Sequence, residues 1–466
     1  MTTPAVTASG RAEPGSGFTA HVVAEVSKLS SLELSKSVRE RVRHAVLDWL
    51  GVTIAGAQQP SARIARDVLK AEGGEAVARV PGTPDRLTAR QAALAVGIAG
   101  HALDYDDMGK GGHPSVVVLP AVFAVADELG VDGRTTVDGL LCGYQAMSTI
   151  SAGCGPAQYA RGFHSTSTFG AFAAAMGAGR LLNLDSLLLQ RALGIAGTQA
   201  SGLKANFGTM SKHLNAGNAA AVGVLSARLA EAGYTGATDV IESPQGFAAA
   251  HNEVYSDFDP SRPGTTLADG LAIEQIMFKL HAACGGTHST IEGIRSAKAQ
   301  RPFTVDEIDE VELSVSERTP EVCGIPEPRT GLEGMFSLRH AAALALVGSH
   351  TGPSAFTDAR VNDRDMVALR DRVKVVPVAR IPGVGSPTEV SIRLTSGETL
   401  RACVDPLVPT PDERLGEQRA NLESKFRDLV DPILGVERST ELIELVRRID
   451  ELDSIRELTD RTATKE

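Results

Sequence analysis

The chain has 466 residues, 42% hydrophobic, 22% charged and 4% aromatic, with a formal net charge of −11. At roughly 100 to 200 residues per domain this length allows two to four domains, and two is the reading adopted here. The acidic balance, with no long Lys/Arg run, excludes non-specific attraction to nucleic acid and to anionic membrane surfaces.

No stretch reaches the roughly 18 uninterrupted apolar residues of a membrane span. The five cysteines, Cys142, Cys154, Cys284, Cys323 and Cys403, lack C-x-x-C spacing, which argues against a disulfide framework or a zinc site and fits a cytoplasmic protein. Residues 1–17 are rich in Thr, Ser, Gly and Pro and have no apolar h-region, so they read as a disordered lead.

From Phe18 to Leu271 the pattern is helical. In "SKSVRERVRHAVLDWLGVTIAGA", Val38, Val42, Ala45, Val46 and Trp49 share one face. Later segments such as "SVVVLPAVFAVADELG" and "TSTFGAFAAAMGAGRLLNL" are apolar nearly all round, which predicts helices inside a multilayer bundle. The character then changes: "EVELSVSE", "RVKVVPVAR" and "TEVSIRLTSGETLRACV" alternate like strands, the last as a hairpin turning at Ser396-Gly397. "EGMFSLRHAAALALVGS" reads as a helix on that sheet, and helical pattern returns from "PDERLGEQRANLESKFRDLV" onward. The predicted fold is mainly α: an all-α domain over 18–272 plus 408–458, with a smaller α+β lid domain inserted at 273–407. Such an insertion leaves a cleft between body and insert.

Four polar clusters interrupt this apolar chain. The first, "HALDYDDMGKGGHPS" at 101–115, joins a helix end to a helix start. Its acids oppose the helix dipole, and Asp104 and Asp107 would share a face if the helix continued. The second, "RGFHSTSTFGAF", sets Arg161 and His164 before a helix read as capped by Ser165, Thr166 or Ser167, an arrangement suited to a carboxylate or phosphate. In the third, "ASGLKANFGTMSKHLNAGNAA", Lys204, Lys212 and His213 lie in what reads as a loop too irregular for a core helix. The fourth, "KLHAACGGTHS", places Lys279, His281, Cys284 and His288 where the insert begins. H-x2-C-x3-H has no fourth ligand nearby and the Asp-rich corner has no phosphate loop beside it, so no metal is expected. Nucleotide-binding and serine-hydrolase motifs are missing, which leaves cofactor-free acid/base chemistry.

These blocks, together with "LDWLGVTIAGA", "LAEAGYTGA" and "MFSLRHAAALAL", resemble the MmgE/PrpD family over nearly the whole chain. The family includes 2-methylcitrate dehydratases, cis-aconitate decarboxylases and iminodisuccinate epimerases. The resemblance implies a helical domain with an α+β lid, a homodimer, a small anionic substrate, and catalysis without metal or organic cofactor. Position by position it implies catalytic roles for Asp104, His113, His164, Lys212 and His288, with Thr287 beside His288. Lys279, Arg161, Lys204, His281, Cys284 and Met108 are read as lining the substrate.

The departures from the family pattern are specific. Met108 stands where many members have threonine, and His213 and Asn215 replace the proline and histidine of K-P-L-H. Cys284 falls where the decarboxylase subgroup carries a histidine. On these residues dehydration of a hydroxy di- or tricarboxylate ranks first. Epimerisation of an amino- or imino-dicarboxylate ranks second and cis-aconitate-type decarboxylation third, with a catalytically silent anion-binding member as the non-enzymatic alternative.

Overall fold

A computed structural model describes residues 17–252, 257–381 and 386–465, so the expected disordered lead, apart from Gly17, lies outside the described residues. The body contains helices α1 (Phe18–Ser27), α2 (Lys36–Gly56), α3 (Pro60–Glu72), α4 (Ala89–His101), α5 (Ser115–Leu129), α6 (Gly133–Cys154), α7 (Ser165–Leu181), α8 (Ser186–Gly197) and α9 (Ser211–Glu231). Their starts follow capping chemistry. Ser35 accepts the Val38 N–H at 3.1 Å ahead of α2, and Thr88 with Gln91 forms a capping box ahead of α4.

Helix α7 is the axis of the body, packed by α5, α6, α8 and α9. Its Ala171, Ala173, Ala174, Ala175 and Ala178 are completely buried, as the all-round apolar pattern predicts. Small residues let these helices cross closely: a Cβ on Gly217 of α9 would lie 2.4 Å from the Leu94 carbonyl oxygen of α4.

Three local expectations are corrected. The helix before the Asp-rich corner stops at His101, and Asp104 takes a left-handed φ of 46°, so Asp104 and Asp107 share no helix face. The N-cap position of α7 is His164, with no side-chain cap. Ser165, Thr166 and Ser167 instead form the first turn. Lys212, His213 and Asn215 lie at the start of the 21-residue helix α9 and are buried, where the sequence reads as an irregular loop lining a surface or a site. The sequence reading also missed a two-residue ladder pairing Ala78 with Leu87 and Arg79 with Arg86.

The second layer contains α10 (Gly285–Gln300), β1 (Ile308–Ser316), α11 (Leu338–Leu346), α12 (Arg364–Arg370), β2 (Val373–Val378), β3 (Glu389–Leu394) and β4 (Thr399–Cys403). The sheet runs β2-β1-β3-β4. β2 is parallel to β1, β3 is antiparallel to it, and β3–β4 is the expected hairpin, turning through Gly397 at φ 88°. The alternating Val311, Leu313 and Val315 are buried on the sheet, and α10 and α11 pack against it. Helices α13 (Leu415–Leu434) and α14 (Val436–Arg447) then return to the body, α13 lying along α2. The fold is mainly α with a small mixed sheet. No described helix is long and apolar enough to cross a membrane.

Candidate active site

The corner after α4 and the chain leading into α10 are joined by backbone pairing. Met108 and Met277 exchange N–H···O bonds of 2.8 Å in both directions, which aligns Lys279 beside Asp104. Gly111 and Gly112 have φ of 89° and 128°, and a Cβ on Gly112 would meet Thr166 Oγ1 at 2.5 Å. The glycine link therefore lets the corner dock on the first turn of α7, where the His113 N–H donates to Thr166 Oγ1 at 3.2 Å. The Met108 side chain faces Gly285, leaving no space for a Cβ there.

Asp104 is the hub. Its Oδ1 accepts from Lys212 Nζ and Lys279 Nζ, each at 2.9 Å, and its carbonyl accepts from Lys279 at 3.0 Å. All three side chains are buried. Burial works to raise the Asp104 carboxyl, but Lys212 and Lys279 outweigh it and hold the group well below the usual carboxylate range. One carboxylate oxygen thus holds two ammoniums, and the field of the Asp106 carboxylate adds to that of Asp104 at Lys279. Lys212 also keeps two N–H donors beyond its Asp104 bond.

Beside this clasp stand imidazoles. Asp106 accepts from His101 Nδ1 at 3.0 Å and from His113 Nδ1 at 2.9 Å, and the same His113 nitrogen lies 2.7 Å from the Asp107 carbonyl. With only acceptors around them, both Nδ1 atoms carry protons, and in the neutral His101 ring this leaves Nε2 bare. Burial pulls His101 down to about 4, keeping it neutral. His164 is held the opposite way: Asn215 Nδ2 donates to its Nδ1 at 3.1 Å, so its proton sits on Nε2. Burial, reinforced by Lys212, holds His164 well below its ordinary value. The His101 ring centroid lies 4.9 Å from that of His113, 5.9 Å from His164 and 6.3 Å from His213. Two buried atoms in this cluster, Asp104 Oδ2 and His101 Nε2, have no hydrogen-bond partner, as expected where a ligand completes the network.

Asp107 has a structural role. It bonds to Ser115 Oγ, which also contacts Tyr144 Oη, and burial pushes its carboxyl up to about 8. Underneath, Lys425 of α13 donates to Asp48 Oδ1 at 2.6 Å, to the Tyr105 carbonyl at 2.7 Å and to the Lys279 carbonyl at 3.0 Å. It thereby ties the segments carrying Asp104 and Lys279 to α2. His101, Asp106, Asn215, Asp48 and Lys425 were absent from the sequence-derived site.

The other expected residues are not all gathered here. His288 Nε2 contacts the Ala283 carbonyl at 3.2 Å and its ring abuts His281, whose own nitrogens bond Thr351 and Glu292. This pair sits where the chain enters α10 and makes no hydrogen bond to Asp104, Lys212 or Lys279. Arg161 is exposed and donates to the Asn252 carbonyl at 2.7 Å, away from the cluster. Lys204 sits with its ammonium 4.1 Å from the Tyr159 ring centroid. Cys284 is buried at the N-cap of α10.

His101, Asp106 and His113 offer ligand atoms within 4.8 Å of one another. The Nδ1 atoms facing Asp106 both hold protons, however, so a metal would have to displace both and break the His113 bond to Asp107.

A helical body bearing buried lysines, an aspartate and histidines beneath an α+β layer defines the class. The MmgE/PrpD N-terminal domain model matches residues 20–256 and the C-terminal domain model residues 281–451. The chain belongs to the MmgE/PrpD family. Its relatives include the cis-aconitate decarboxylase of Aspergillus terreus, 28% identical over 93% of this chain and 96% of that protein. The cis-aconitate decarboxylases of Homo sapiens and Mus musculus are 28% and 27% identical over 91% of this chain, covering 90% and 89% of their own lengths.

Proposed function

We propose that the protein is a lyase that decarboxylates a small unsaturated tricarboxylate of the cis-aconitate kind, the reading ranked third from the sequence. The observation that carries it is the full-length likeness to proteins named for that activity. The clasp supplies a chemical rationale. Breaking the C–CO₂⁻ bond leaves its electron pair on carbon, conjugated toward a remaining carboxylate. Lys212 and Lys279 stabilise the charge developing there. His164 Nε2–H donates a hydrogen bond to the developing charge, and His113 is the group this reading assigns to carry the proton to carbon.

Dehydration remains the second reading, favoured by Cys284 in place of the decarboxylase histidine. Both start from the same carboxylate grip. Incubation with cis-aconitate in D₂O, followed by proton NMR, tests the proposal: CO₂ release with one deuterium in the product is expected. An alkene formed only from a hydroxy-tricarboxylate would establish the hydro-lyase instead. A deuterated stereoisomer formed from an amino- or imino-dicarboxylate would establish an epimerase, and binding without turnover across a carboxylate panel would refute enzymatic function.

A further inference from the structure

Cys284 and Cys323 belong to separate short segments of the second layer, yet their sulfurs converge. A Cβ built on Gly286 would lie 2.8 Å from Cys323 Sγ and 4.0 Å from Cys284 Sγ, so both thiols flank one gap that only glycine leaves open. Cys323 closes the one-turn helix Pro320–Cys323 and is fully buried, its thiol 3.6 Å from the Thr319 carbonyl. Cys284 precedes the 16-residue helix α10 and keeps 9% exposure. No disulfide joins them.

We infer that Cys284 and Cys323 form a peroxide-reactive pair at the edge of the active site, with Cys284 as the attacking thiol and Cys323 as the resolving thiol.

The two sulfurs differ in the way such a pair requires. The neighbouring Cys323 thiol draws Cys284 below the ordinary thiol range, against burial and the Asp104 carboxylate and with help from the Lys279 ammonium and the Gly286 N–H. Cys323 is pushed well above that range by the same contact and by burial. Cys142 and Cys154 provide the contrast within one molecule. Both are buried in the body, where burial raises them and outweighs the Arg180 guanidinium near Cys142 and the Arg262 guanidinium near Cys154.

The chemistry balances with hydrogen peroxide as the only co-reactant. The Cys284 thiolate attacks one peroxide oxygen, the O–O bond breaks, and the leaving hydroxide takes a proton to become water, giving a sulfenic acid. The Cys323 sulfur then displaces hydroxide from that sulfenic acid, forming the S–S bond and losing its own proton, with a second water released. Two thiols are oxidised and one peroxide is reduced. The disulfide would remove the thiolate from beside Lys279 and tie the Pro320–Cys323 turn to the start of α10.

This inference concerns thiol state alone and is independent of the substrate reading. The test uses the full-length chain carrying Cys403→Ser, which removes the exposed cysteine, treated with hydrogen peroxide and then alkylated during unfolding. Peptide mapping should find Cys284 joined to Cys323, two hydrogens lighter than the reduced pair and restored by dithiothreitol, with Cys142 and Cys154 still alkylated. In Cys323→Ser, the sulfenic acid trapped by dimedone should appear on Cys284. The proposal is overturned if Cys284 and Cys323 are both recovered alkylated at a peroxide dose that oxidises Cys403 in the parent chain. It is equally overturned if dimedone labels Cys323 in Cys284→Ser while Cys284 stays unlabelled in Cys323→Ser.

Discussion

Replacing Lys425 by methionine removes one charge from a pair that is nearly sealed, the two side chains being 4% and 2% exposed. Methionine retains most of the stem's packing, so the loss is electrostatic. Asp48 is left buried without its partner, and breaking a buried pair from one side costs about 3–5 kcal/mol. The Tyr105 and Lys279 carbonyls also lose a charged donor. Burial already pushes the Asp48 carboxyl up and the Lys425 ammonium down, so neither charge is comfortable alone. The double variant Asp48→Leu, Lys425→Met abolishes the stranded charge and leaves two unsatisfied carbonyls, about 1–3 kcal/mol each, a cost it shares with Lys425→Met. It should therefore be more stable than Lys425→Met. Urea unfolding followed by fluorescence of the only tryptophan, Trp49, reads this directly, because Trp49 is buried on α2 next to Asp48. A cost below about 1 kcal/mol for Lys425→Met, or a double variant as unstable as the two singles summed, would refute the strut.

Three further outcomes are expected. His113→Ala should lower turnover of the identified substrate by about 10² to 10⁴ while the chain stays folded; unchanged turnover removes His113 from the mechanism. Asp107 titrates near 8 when folded against about 3.9 unfolded, so the folded state holds the extra proton between those values. Stability contributed by this group is therefore complete below about pH 4 and lost as pH rises through about 8, and Asp107→Asn should flatten that slope in Tm measurements. Asp104→Asn deprives Lys212 and Lys279 of their shared counter-ion, so its Tm should fall in plain buffer. A tricarboxylate should raise that Tm by a larger margin than in the parent chain, since a ligand at 100 times its Kd stabilises by about 2.7 kcal/mol. An equal or smaller shift would place the anion elsewhere.

What the sequence discloses here depends on the range of the forces involved. Helical and strand periodicity, the hairpin at Gly397 and the polar corner at 101–115 are local patterns, and each lies where it is predicted. The start of α9 is misread because Ser, His, Asn and Gly have weak helix propensity. Tertiary burial, with Ala216, Ala219 and Ala220 fully covered, overrides that preference. The Asp48–Lys425 strut spans 377 positions, so no window exposes it. A signal did exist: Lys425 interrupts the apolar stripe Leu422, Phe426, Leu429, and Asp48 sits between Ala45 and Val52 on theirs. An ionisable residue on a buried stripe needs a partner, even where spacing alone cannot name it.

The bridge between Met108 and Met277 has a final consequence. One strand of chain bears Asp104 and the other Lys279, so any movement that parted them would break both backbone bonds and pull the ammonium from its carboxylate together. The hold of Lys279 on Asp104 therefore stands or falls with two main-chain bonds between residues whose own side chains take no part in it.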